Sequence, residues 1–309
     1  MPVDPTLQMM LDNAANAGRD AGRRDVVESR AGYELVARLG GEAPPLASVH
    51  DRSIPGPAGD LPIRVYTPLG EGPFGVIVFF HGGGFTIGSL DSHDPIGRRL
   101  AAETPAVVVS VDYRLAPEHP FPAATDDAYA ATAWVSEHAE ELGADRNRLA
   151  VAGDSAGGNL AAVTAIEARD RSSFPIAFQL LVYPTVDSKM GFPSIKENGQ
   201  VGFLTEDTMT WFLEQYGAGQ THDWRASPID HADLSALPPA LIITAEYDPL
   251  RDEGEAYGRR LSDAGVDATV SRYDGMTHVF FQMYGILEAA RTATDEGITA
   301  LRKAFAAVG

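Results

Sequence analysis

No cysteine occurs among the 309 residues, which excludes disulfides, thiolate nucleophiles and cysteine-ligated metals together. Basic side chains are scarce as well: 24 Lys and Arg stand against 43 Asp and Glu, a formal charge of -19. A field of that sign repels nucleic acid and anionic membrane surfaces, so neutral substrates suit the chain, and the acidity itself reads as a solubility device. Long apolar runs are missing too. No stretch reaches the roughly 18 to 20 residues of a membrane span, and the opening MPVDPTLQMMLDNAANAG has neither the basic start nor the apolar core of a signal peptide. The expectation is a cytoplasmic chain with no nucleic-acid partner and no stable membrane insertion.

What is present is a core. Apolar residues make up 44% of the chain, enough for one large α/β unit. Short β-branched runs recur at 76–80 (VIVFF), 106–111 (AVVVSV), 148–153 (RLAVAG), 178–183 (FQLLVY) and 240–245 (ALIITA). Such continuous runs read as parallel strands buried on both faces. Segments at 126–143 and 159–171 between them carry apolar residues at helical spacing, so strand and helix alternate and helices are expected on both faces of the sheet. Residues 49–54 and 61–67 read as a leading hairpin. Two stretches break the alternation: a helical N-terminal arm over 1–45 and a Gly-punctuated, aromatic insertion over 187–222. An insertion at that place is a candidate lid, which leaves 46–186 and 223–309 as the core.

Gly153-Asp154-Ser155-Ala156-Gly157 matches G-x-S-x-G, a spacing that composition alone would produce about 0.16 times in such a chain. Its context is far more specific, because it closes the run RLAVAG and opens the helical GNLAAVTAI, a strand-to-helix elbow that lifts a serine oxygen above a sheet. A serine hydroxyl needs a base, and the base needs an orienting group. Among the histidines beyond the elbow, His222 and His231 lie in polar loop sequence. His278 instead follows the run ATVSRY and precedes a helical pattern over 284–307, where loops of open α/β sheets carry catalytic groups. The acid is expected between serine and histidine at a strand end. There ALIITAEYDPLRDEG offers Glu246, Asp248, Asp252 and Glu253; Asp248 is favoured, since Asp252 and Glu253 fall in the first turns of a helix and serve its dipole.

An ester carbonyl attacked by Ser155 would develop charge on oxygen, which backbone N–H groups can receive. His81-Gly82-Gly83-Gly84-Phe85 directly follows the run VIVFF, and its chance frequency is roughly twenty times lower than that of the serine pattern. The donors assigned are the amides of Gly83, Gly84 and Ala156. A phosphate-binding turn fits poorly, because neither G-x-G-x-x-G nor Gly-Lys-Ser/Thr follows. His81 reads as an anchor of its loop.

Together, HGGGF at 81–85, DYRLAPEHPFPAA at 112–124, GDSAGGNLAA at 153–162 and DPLRDEG at 248–254 with His278 resemble the bacterial hormone-sensitive-lipase-like esterases, the GDSAG subgroup of lipolytic family IV, an α/β-hydrolase family. The resemblance runs from about residue 75 to 282. It implies a Ser155-His278-Asp248 triad, a lid built from the arm and the insertion, no cofactor or metal, small esters of short or medium acyl chain as substrate, and a homodimer. Tyr113, Arg114 and Glu118 are expected to scaffold their loop. Phe203, Leu204, Trp211 and Phe212 of the insertion are candidates to line an acyl pocket. An amidase or peptidase using the same triad stays open. A non-catalytic receptor on this fold, as in the plant gibberellin receptors that have lost the histidine, is disfavoured by His278.

Overall fold

In the computed structural model, which describes residues 2–16, 25–219 and 221–308, the apolar runs become the interior of one eight-stranded sheet ordered β1-β2-β4-β3-β5-β6-β7-β8. The strands are β1 (Ser48–Gly56), β2 (Gly59–Thr67), β3 (Phe74–Phe80), β4 (Ala106–Val111), β5 (Ala144–Asp154), β6 (Phe178–Val182), β7 (Ala240–Tyr247) and β8 (Ala268–Thr277). β2 runs antiparallel to both its neighbours, and from β4 across to β8 every pairing is parallel.

Strand periodicity divides the core in two. Val76, Val78 and Phe80 of β3 point into one cluster, while Ile77 and Phe79 point into the other, as a period of two requires. The first face is covered by α4 (Ala123–Glu137), α5 (Ala156–Asp170) and α8 (Arg251–Asp263), through Ala128, Leu160 and Leu261 among others. α3 (Asp94–Glu103) and α9 (Glu288–Ala307) cover the second face through Leu100 and Leu301. Both faces being buried explains why these strands are continuously apolar rather than alternating.

The arm is only partly the helical segment expected. α1 (Pro5–Asn16) and α2 (Val26–Tyr33) are helices, followed by a 3-10 stretch over Glu34–Leu39; residues 17–24 lie outside the described residues. Beyond Leu39 the chain is not helical, because Gly40-Gly41 and then Pro44-Pro45 remove helix propensity and backbone donors. Leu7 of α1 is fully buried in the second core cluster, so α1 is fastened to the sheet. The insertion contains α6 (Pro193–Asn198) and α7 (Glu206–Tyr216) around its own small cluster of Ile195, Leu204 and Met209 with Leu250. α7 starts at Thr205, whose side chain accepts from the Thr208 amide, and stops at left-handed Gly217. Helix limits differ from the sequence pattern by a few residues, most at the end of α4 and the start of α9. α4 ends at Glu137, where the His138 ring nitrogen is 2.9 Å from the Trp134 carbonyl oxygen, and α9 begins at Glu288, after a 3-10 turn over Phe280–Met283.

Register places the loops that matter. Phe80 of β3 pairs with Gly153 of β5, and Tyr247 of β7 pairs with Thr277 of β8. The residues following each pair therefore leave the same edge of the sheet side by side, at the carboxyl ends where open α/β sheets gather their ligands. Among the described residues, no helix is long and apolar enough to cross a membrane.

Ile77 is wholly buried in the centre of the second cluster. Ile77→Ala is expected to cost about 2–5 kcal/mol, read as a lower urea midpoint at unchanged slope.

Candidate active site

Ser155 sits between β5 and α5 with φ 55° and ψ -117°, a region that side-chain-bearing residues enter at a cost of about 1–3 kcal/mol. Neighbouring bonds hold it there. Its amide donates to the Val182 carbonyl at 2.8 Å, and its carbonyl accepts from the amides of Asn159 at 3.1 Å and Thr185 at 3.2 Å. The flanking glycines leave no alternative: a Cβ on Gly153 would overlap the Gly157 carbonyl, and one on Gly157 would overlap that of Phe80.

His278 Nε2 lies 3.0 Å from Ser155 Oγ, and its Nδ1 lies 2.7 Å from Asp248 Oδ2. A carboxylate only accepts, so Nδ1 carries the proton and Nε2 is left to accept from the hydroxyl. Asp248 is fully buried. Its other oxygen accepts from the Leu250 amide at 2.8 Å, and its main-chain carbonyl accepts from Asn198 Nδ2 of α6 at 3.1 Å. The ring of Tyr183 packs 4.5 Å from the imidazole. The other candidates are engaged elsewhere: Asp252 accepts from the Ser194 amide, Glu246 from that of Gly275, and His231 faces Asp170.

The glycine loop follows β3 directly. Gly82 O is 2.9 Å from His81 Nδ1, and Gly83 O accepts from the amides of Thr86 and Ile87. Across a trans peptide the next N–H points the opposite way, so the Gly83 and Gly84 amides are turned out of the loop's own hydrogen bonds. Gly83 (φ 125°) and Gly84 (φ 57°) need that freedom. The Phe212 ring of α7 lies against Gly84 so closely that a Cβ there would overlap it. Trp211 touches Phe212, with ring centroids 5.1 Å apart. Leu204 lies inside the insertion's own cluster, and Phe203 packs on the second main cluster.

The loop's scaffold is as expected at Tyr113, whose hydroxyl donates to His81 O at 2.7 Å, and at Arg114, which pairs with Asp127 at 2.8 Å. Glu118 joins Arg30 of α2, and that guanidinium also donates to the carbonyls of Thr86 and Ala116. Burial, helped by neighbouring His93, pushes the His81 imidazole down to about 3, so the ring stays neutral at its stacking position on Tyr113. Sequence reasoning passed over Asp154, His93 and Gln282, which meet behind the loop: Asp154 Oδ1 accepts from the Gly82 amide at 2.9 Å and lies 3.1 Å from His93 Nε2, and its Oδ2 accepts from Gln282 at 3.0 Å. The one available signal was an acidic side chain closing an otherwise apolar run.

A family model described as the alpha/beta hydrolase fold matches residues 77–282. Carboxylesterase NlhH of Mycobacterium tuberculosis is 42% identical, over 98% of this chain and 96% of its own. The ethyl acetate hydrolase of Pseudomonas putida is 37% identical over 99% of both. The solved structure of a hyperthermophilic esterase from Pyrobaculum calidifontis superposes with a TM-score of 0.93 at 45% identity, covering all of both chains. The chain belongs to the hormone-sensitive-lipase-like α/β hydrolases. It is a carboxylic ester hydrolase.

This esterase also buries Glu253 completely. Burial pushes its carboxyl well above the ordinary range, against the amides of Val186 (2.8 Å) and Asp187 (3.2 Å) that donate to Oε1, and nearby Asp187 and Asp248 push it the same way. The folded chain thus keeps a proton that the unfolded chain releases above about pH 4.3, and the stability this contributes declines as pH rises. Glu253→Gln keeps the acceptor and removes the titration. Its melting temperature relative to wild type is expected to be higher at pH 8 than at pH 5; an equal difference at both would contradict a protonated Glu253.

Proposed function

We propose that Ser155 is the nucleophile of this carboxylesterase, His278 its general base and then acid, and Asp248 the carboxylate that orients the imidazole, with the amides of Gly83, Gly84 and Ala156 receiving the oxyanion. His278 Nε2 takes the hydroxyl proton as Ser155 Oγ attacks the ester carbonyl. The tetrahedral intermediate collapses, the alkoxide leaves with the proton from Nε2, and an acyl-serine remains. Water then repeats the sequence, with its proton going to Nε2, and releases the acid and free Ser155. No cofactor is needed at any step. The observation that carries this reading is the unbroken pair of hydrogen bonds from Ser155 through His278 to buried Asp248.

The described parts of 1–45 and 187–222, apart from α1, which is fastened to the sheet, form the cap over a catalytic core of 46–186 and 223–309, and Phe203, Leu204, Trp211 and Phe212 supply the acyl pocket's apolar wall. The contact of Phe212 with Gly84 supports that placement, since it sets the ring beside a proposed oxyanion donor. Substrates are small esters of short to medium acyl chain.

Ser155→Ala is expected to keep the melting temperature near wild type and cut kcat for nitrophenyl esters by about 10³-fold or more; near-wild-type turnover would end the assignment. In a series from acetate to palmitate, run beside matched anilides, the maximum is expected on esters of short or medium chain. Phe212→Ala is expected to shift that maximum toward longer chains, and an unchanged profile would remove the ring from the pocket.

A further inference from the structure

Behind the glycine loop lies a buried polar cluster that the mechanism above does not use. Its centre is Asp154, 3% exposed and last in β5. Its carboxylate touches three separate parts of the chain. Oδ1 accepts from the amide of Gly82, at the head of the glycine loop, at 2.9 Å, and lies 3.1 Å from Nε2 of His93, which just precedes α3. Oδ2 accepts from Gln282, in the turn after His278, at 3.0 Å, and the Gln282 amide also reaches Tyr33 OH at 3.1 Å. Packing is equally tight: a Cβ on Gly82 would stand 2.5 Å from Asp154 Oδ2.

The His81–Gly82 peptide is consequently gripped at both ends. Tyr113 OH donates to its carbonyl at 2.7 Å, and its N–H donates to Asp154. Fixing that plane fixes where the next two peptides begin, and those carry the N–H groups of Gly83 and Gly84. Oxyanion donors act only when held within a few tenths of an ångström of the developing charge. We infer that Asp154 is the positioning residue of the oxyanion site: through the Gly82 amide it locks the glycine loop to the nucleophile elbow, and through Gln282 it ties both to the histidine loop. Burial alone would favour the neutral acid, but His93 and the Gln282 hydrogen bond, with His278 nearby, outweigh it and hold the carboxyl below its ordinary range, so the stronger, charged acceptor faces Gly82.

This rests on the ester-hydrolase reading of Ser155, and the test separates the two. A thionoester replaces the carbonyl oxygen by sulfur, which aligned N–H donors stabilise poorly, so the ratio of kcat/KM for an oxygen ester to that for its thiono analogue reports on the donors. In Asp154→Ala that ratio is expected to fall at least about tenfold, with kcat for the oxygen ester down about 10²-fold or more and KM little changed. Asp154→Asn keeps an acceptor for the Gly82 amide, and Gln282 can turn its amide to meet the new NH₂, so this variant is expected to restore most of the ratio. Should Asp154→Ala fail to fold, Gly82→Ala disrupts the same contact from the other side and must lower the ratio likewise. General loss of structure would lower both substrates together. A wild-type ratio in whichever of these two variants is read, or an Asp154→Asn variant no better than Asp154→Ala, overturns the inference. A wild type without esterase activity, or a fully active Ser155→Ala, would instead sink the reading beneath it.

Discussion

The strained turn at Ser155 is the constraint on which the site depends. A serine at φ 55° persists only because its surroundings allow nothing else: the neighbouring carbonyls of Phe80 and Gly157 occupy the space that side chains at Gly157 and Gly153 would need, and the Val182 carbonyl takes the serine's own amide. Those partners are fixed by the sheet. β3 and β6 flank β5 in register, so the packing of Val76, Val78, Leu149 and Val151 into one cluster is what holds a local backbone cost of a few kcal/mol in place. Core packing and the presentation of the Ser155 hydroxyl are therefore one problem.

Much of this was legible in the chain. Strands β3 to β7 announced themselves as short apolar runs because both sheet faces are covered; Ser155 and Asp248 stood out because each follows such a run, and His278 because it follows ATVSRY at the same edge of the sheet. What was hidden is what the run-ends face. Asp154 fills the variable place of its motif, and nothing in its neighbours says that its carboxylate turns inward onto Gly82. His93 lies in the polar stretch SHDP, which carries no sign of burial, yet is 1% exposed. Glu253 read as a helix-dipole residue, and it is at the start of a helix, but its side chain turns toward the Val186 and Asp187 amides. The arm's helical reading failed beyond Leu39, where local Gly and Pro chemistry overrides the apolar pattern.

Two of the buried carboxyls outside the His278 pair, Asp154 and Glu253, show how surroundings decide charge in a chain already rich in acid. Asp154 receives hydrogen bonds on both oxygens and has two histidines within electrostatic reach, which keeps it ionised. Glu253 is kept protonated by its burial and by neighbouring Asp187 and Asp248, against the two amides that donate to a single one of its oxygens. Similar burial gives opposite states, because desolvation is a common cost and the partners differ. Asp154, beside Ser155, and Glu253, near Asp248, are thereby carboxyls of unlike charge.

Contacts across the site also join distant parts of the chain: Ser155 meets a partner 123 residues away, Asp154 one at a distance of 128, and Arg30 reaches Ala116 across 86. Pairings of such sequence separation close late, since loop entropy must be overcome before they form. During synthesis, the Asp154 carboxyl waits without Gln282 until 128 further residues have been made. A fragment that stops before His278 lacks the base paired with Ser155, so turnover becomes a readout of long-range folding rather than of the elbow alone.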